Sequence, residues 1–193
     1  MSARPADALQ ETSAIARSGP NPGGVRAIAF WAATLIVVFE LVAGAVWNLM
    51  TIEWVEVQLG HLGYPDYFAQ ILGVAHVAAA IVVIAPGFPL VKEWAYAGVV
   101  VMWTGAVASH LSLGDGLQSW GPPLMFAVFA VVSWTLRPAD RRVGRDRRPE
   151  LRPRAWAVPV ALLAAMCAFS FLTLPVVEDF MHDNAVQLGW IED

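Results

Sequence analysis

The chain has 193 residues, of which 58% are hydrophobic and only 15% charged, with 12 basic against 16 acidic side chains and a net charge of −4. A soluble domain of this size has about a quarter of its residues charged, so this composition argues against an ordinary water-soluble enzyme. The single cysteine, Cys167, excludes an internal disulfide or a CxxC redox pair, and packing is its expected role.

Residues 1–25 are rich in Ala, Ser, Pro and Gly and read as a flexible lead. The first apolar stretch runs from about Arg26 to Leu49. It contains a small-x-small site, Ala43-Gly44-Ala45, but is longer than a signal core and is interrupted by Glu40, so an uncleaved helix is expected. Further stretches run from Tyr67 to Ile84, Trp94 to Leu111, Leu117 to Leu136 and Trp156 to Val177. Each suffices for a helical crossing, which takes roughly 20 apolar residues. A helix also satisfies its own backbone hydrogen bonds in lipid, and the period of two that marks a barrel strand is absent. The predicted fold is an all-α polytopic bundle: a four-helix core over 26–136, a basic loop over 137–155, a fifth helix over 156–177 and an acidic tail over 178–193.

All 12 basic residues fall on one side of this five-span arrangement: Arg4, Arg17 and Arg26 before the first helix, Lys92 between the second and third, and eight arginines from Arg137 to Arg154 between the fourth and fifth. Glu53, Glu56, Asp66, Asp115 and the tail acids lie on the other. By the positive-inside rule the N-terminus is cytoplasmic and the C-terminus extracytoplasmic, in an inner (plasma) membrane of bacterial type. Within the basic loop, Arg141, Arg142, Arg145, Arg147 and Arg148 are the expected contacts to anionic lipid headgroups. No aromatic interleaving supports nucleic-acid binding there.

Between the first two spans, Met50–Asp66 reads as the longest outer loop, with Tyr64-Pro65-Asp66 as turn chemistry and Asp66 as N-cap of the second helix. Gly114, Gly116, Gly121, Pro122 and Pro123 mark the turn before the fourth. Gly98, Gly105 and Ser109 share one face of the third helix and predict close helix packing.

Ionisable side chains within hydrocarbon are costly and are the first candidates for function. Glu40 lies about nine residues before the outer end of its helix, about 13 Å deep at 1.5 Å per residue. His76 has the same depth on the antiparallel second helix. His110, beside Ser109, ends the third helix near the surface, with Asp66 at that height and Trp103 and Thr104 one to two turns deeper. If these faces converge, they form an outward-opening polar pocket with Glu40 and His76 at its floor. Such a pair binds a quinone-like headgroup or relays a proton; alternatively it ties two helices together. Glu40, His76 and His110 are the candidate catalytic groups of a quinone-linked enzyme. Metal or bis-histidine haem ligation is not expected, because local ligand spacing is lacking and the histidines differ in height by about 10 Å.

Three segments, Leu62-Gly-Tyr-Pro-Asp-Tyr-Phe-Ala-Gln-Ile-Leu-Gly73, Lys92-Glu-Trp-Ala-Tyr-Ala-Gly98 and Gly105-Ala-Val-Ala-Ser-His110, resemble the DoxX-like family of small membrane proteins, over about Phe39 to Arg137. The matching residues are Tyr64, Pro65, Lys92, Glu93, Ala95, Gly98, Ser109 and His110. The resemblance implies a four-helix bundle. Its name derives from a subunit of a thiosulfate:quinone oxidoreductase, although most members have no established activity. The lysine that members often carry near the end of the first helix is missing from Val46-Trp-Asn-Leu49, and the fifth helix and acidic tail lie outside the family pattern. These additions point to docking into a larger membrane complex or a homo-oligomer. The expected function is therefore an accessory subunit of a membrane redox or energy-transducing complex, without a certain cofactor and with quinone as the candidate. A quinone-linked oxidoreductase and a small-molecule or lipid carrier are the alternatives.

Overall fold

The structure, a computed structural model, describes residues 22–138, 141–143 and 153–192. These residues form six helices and no strand: α1 (Pro22–Met50), α2 (Glu53–His61), α3 (Tyr67–Ile84), α4 (Pro89–Leu113), α5 (Leu117–Leu136) and α6 (Pro153–Gln187). Five of them, all but α2, are long and apolar enough to cross a membrane. The protein is a multi-pass helical membrane bundle.

The core follows from the spacing of apolar side chains on α1. Phe30, Thr34, Val37, Leu41 and Ala45 recur every three to four residues and are buried, the period that puts side chains on one helical face. That face packs against α3 and α5, and α6 lies along another side of α1. Val37, Val38, Leu41 and Val42 meet Val83 and Ile84 of α3, Val99 and Trp103 of α4, and Ala127 and Ala130 of α5. Outside this core the helices expose Val, Ile, Leu and Phe, as α3 does with Ile71, Val74 and Ile81. A lipid-facing surface requires such side chains.

Several boundaries differ from the sequence reading. Within the segment read as an outer loop, residues 53–61 form α2, because Val55 and Leu59 are spaced to bury on one face, with Ile52, against Ala69. Glu53 and Glu56 in its first turn suit the positive end of the helix dipole. The expected turn at Gly121-Pro122-Pro123 is helical, since α5 starts at Leu117 and runs through both prolines. Asp66 takes the cap position of α3 with helical backbone angles and makes no capping hydrogen bond. Of the stripe of Gly98, Gly105 and Ser109, only Ser109 meets another segment among the described residues, through Tyr64, whereas a Cβ added to either glycine would meet nothing within 4 Å. Finally, α6 continues past the apolar segment to Gln187, well into the stretch read as an acidic tail.

The α3–α4 connection is tight. Gly87 and Phe88 both adopt positive φ, 76° and 53°, and Pro89 then starts α4, where a missing N–H costs nothing. This brings the basic end of α4 under the last turn of α3.

Candidate functional site

Among the described residues, polar side chains gather in three places: at mid-depth, at the acidic end and at the basic end. The first joins Glu40 of α1 and His76 of α3. Gly44, one turn beyond Glu40, lets them approach. A Cβ built on Gly44 would lie 2.8 Å from both Cδ2 and Nε2 of His76 and 3.5 Å from Oε1 of Glu40. His76 is buried, and its Nδ1 lies 2.7 Å from the Leu72 carbonyl oxygen. A carbonyl only accepts, so Nδ1 carries the hydrogen and, in the neutral ring, Nε2 is left as an acceptor. The other partner is incomplete: Glu40 Oε2 is buried with no hydrogen-bond partner. A buried carboxyl oxygen left unpaired costs about 1–3 kcal/mol. The pair therefore presents one acceptor nitrogen and one unused carboxyl oxygen inside the membrane.

The second cluster sits at the acidic end, where the loop after α4 returns Asp115. This carboxylate accepts from His110 Nδ1 at 2.7 Å and lies 3.0 Å, through both oxygens, from His61 Nε2 at the end of α2. Partial burial opposes its charge, but the hydrogen bonds from His110 and His61 outweigh this and hold its pKa below the ordinary value. Trp190 covers both imidazoles, stacked on His61 at 4.7 Å and on His110 at 5.8 Å, and also contacts Trp54. Nearby, the Tyr64 hydroxyl and Ser109 Oγ share a hydrogen bond of 2.7 Å.

The third cluster lies at the basic end and explains the Lys-Glu-Trp-Ala-Tyr segment. Lys92 is fully buried, and its Nζ donates to the carbonyl oxygens of Val82 and Val83 on the last turn of α3. Glu93 accepts from Arg137 Nη2 and Trp134 Nε1, each at 2.6 Å. Tyr96, Ser133 and Thr34 form a buried hydroxyl chain with links of 2.7 Å that joins α4, α5 and α1.

The candidate residues thus divide. Glu40 and His76 come together, whereas His110 is engaged by Asp115 and stands apart from them. Trp103 packs in the apolar core against Phe126, at 5.5 Å. Thr104 is exposed and bonds back to the Val100 carbonyl. Asp66 lines a separate cleft of about 270 Å³ at the acidic end with Thr51, Glu56, Gly60 and Tyr64. Of the arginines, Arg141 stacks over Trp31 at 4.9 Å and Arg142 donates to the carbonyls of Arg137 and Thr135. Arg145, Arg147 and Arg148 lie outside the described residues.

Sequence reasoning passed over His61, Asp115 and Trp190 as site residues, and it treated Lys92 and Glu93 only as motif. For the acidic-end trio no local signal existed, since more than 70 residues separate Asp115 from Trp190. For Lys92 the signal was present: a lone lysine between two apolar helices needs acceptors.

An apolar cleft of about 590 Å³ runs between α1, α3 and α6, lined among others by Val46, Leu49, Ile81, Trp156, Leu163 and Phe171. At about 100° per residue, Glu40 and Gly44 point away from it.

No curated protein and no solved structure matches the chain. The profile of the DoxX-like family matches residues 23–133, which cover α1 to most of α5 and begin earlier than the resemblance in the sequence suggested. With more than half of its length matched, the chain belongs to the DoxX-like family.

Proposed function

We propose that this protein is a subunit of a membrane redox complex that holds the polar head of a quinone-class molecule at Glu40 and His76, with its basic end facing the cytoplasm. The observation that carries this reading is the buried, unpartnered Oε2 of Glu40 beside the His76 ring. Were the pair only a tie between helices, the two side chains would be expected to bond each other; instead His76 bonds to its own helix and Glu40 keeps an unused oxygen. A hydroquinone hydroxyl donates to Nε2, and a quinone carbonyl accepts from a protonated carboxyl. The family resemblance supplies the redox context.

The test is equilibrium binding of a short-chain benzoquinone to the purified protein in nanodiscs, followed by tryptophan quenching. We expect saturable binding that weakens at least tenfold in Glu40→Gln and in His76→Ala. Absence of saturation in the wild type, or undiminished binding in both variants, overturns the reading.

A purely structural role in a larger assembly is the second reading, and α6 favours it. Its most apolar window is only 6% buried, against 44% for α1. It also presents Phe169, Phe171, Leu172 and Val176 outward. Native mass spectrometry of the protein extracted from its own membrane separates the two: a stoichiometric partner without bound quinone supports the structural role.

A further inference from the structure

The basic end holds a buried guanidinium with one nitrogen left unpaired, that of Arg137. Lys92 bonds only to backbone carbonyls, and Arg141 Nη1 lies 3.4 Å from the same Val83 oxygen that Lys92 uses. Arg137 is 4% exposed. Its Nη2 goes to Glu93 at 2.6 Å, its Nε to the Trp134 carbonyl at 3.0 Å, and its guanidinium lies over the Tyr96 ring at 5.1 Å. The remaining nitrogen, Nη1, is buried with no hydrogen-bond partner. Arg142 is joined to the same turn through the Arg137 carbonyl. Glu93, the carboxylate paired with Arg137, is already shared with Trp134.

A buried guanidinium N–H without an acceptor is costly, more so than a neutral donor. That cost is removed by an anion. Arginine's planar fork matches the oxygens of phosphate, and a lysine ammonium beside it acts as a point charge. A tetrahedral phosphate accepts from donors arriving in several directions, as these do from α4 and the end of α5, whereas a carboxylate offers two coplanar oxygens. The flanking rings point to the same ligand. Trp31, Trp94 and Trp134 are exposed around this end of the bundle, and such residues sit at the headgroup level of a bilayer.

We propose that Arg137 and Lys92, supported by Arg141, form a binding site for a phosphate-bearing anion at the basic end of the bundle. The group is either the phosphodiester of an anionic lipid or a free phosphate. The site is independent of Glu40 and His76.

The test uses the full chain in detergent after lipid removal, with unfolding followed by tryptophan fluorescence. Four probes are titrated at constant ionic strength: phosphatidylglycerol, phosphatidylcholine, oleate and inorganic phosphate. We expect phosphatidylglycerol to raise the unfolding temperature in a saturable manner, well beyond phosphatidylcholine or oleate. Arg137→Lys, which keeps the charge but loses the fork, should weaken this response at least tenfold with its helix content unchanged by circular dichroism. The exposed Arg154→Gln serves as a control and should respond like the wild type. If inorganic phosphate competes with the lipid, the site recognises the phosphate itself; if it does not, the lipid headgroup is the ligand. Either result upholds the site. An equal response to oleate, no response to any phosphate probe, or a full response in Arg137→Lys overturns it.

Discussion

Gly44 shows how one side chain, or its absence, sets a site. His76 occupies the space a Cβ would take, at 2.8 Å from two ring atoms. We therefore expect Gly44→Ala to turn the ring off its Leu72 bond, at an overpacking cost of about 1–3 kcal/mol. The fall in unfolding temperature checks the cost, and loss of quinone binding equal to that of His76→Ala checks the geometry. Asp115 carries a pH dependence. Burial raises its pKa but the two histidine hydrogen bonds lower it further, to a net value below the ordinary 3.8. The folded state thus favours the ionised carboxyl, so its contribution is complete above about pH 4 and is lost as pH falls through the lowered value. Asp115→Asn should remove about 1 kcal/mol at pH 7, the net worth of a partly exposed hydrogen bond of this kind.

At the level of elements, Trp190 fastens the end of α6 to the end of α4 and to α2. Its ring contacts with His61 and His110 make the order of Asp115 and that of the last residues interdependent. Hydrogen exchange of residues 185–191 should accelerate in Asp115→Asn at pH 7, and in the wild type only below about pH 4. Exchange that is unchanged in the variant would mean that apolar contact alone seats Trp190. The contact between His182 Nδ1 and Glu53 Oε2, 3.1 Å and exposed on both sides, adds little by comparison. Lys92 does for α3 what a C-terminal cap usually does: it satisfies carbonyls that the helix leaves open. Positive charge at a helix C-terminus also suits the dipole.

For the whole molecule, α6 lies outside the residues that the family profile covers. It touches α1, α2 and α3, yet leaves a cleft against α1 and α3. We expect a chain ended before Pro153 to keep the helices of the four-span core in the membrane. It should lose the Trp190 cover over His61 and His110, and any larger assembly that α6 supports. Circular dichroism and native mass spectrometry check these outcomes; loss of the core helices would show α6 to be integral to folding.

Much of the architecture was legible in the chain because crossing a bilayer is a local property. Each span needs only enough consecutive apolar residues, so Tyr67–Ile84 and Leu117–Leu136 are read from hydropathy with the same limits the structure has. The family was legible for a similar reason: Lys92, Glu93 and Tyr96 stand within five residues of each other. Equal depth of Glu40 and His76 was also available by counting along two helices. What counting along the chain does not supply is rotation about each helix axis, which packing decides. That rotation brings Glu40 and His76 together at Gly44, turns Gly98 and Gly105 away from the other described helices, and leaves Thr104 exposed. It also directs His110 to Asp115 and His61, under a tryptophan from the far end of the sequence. Those partners meet only once all the helices are packed, and tertiary structure alone determined them.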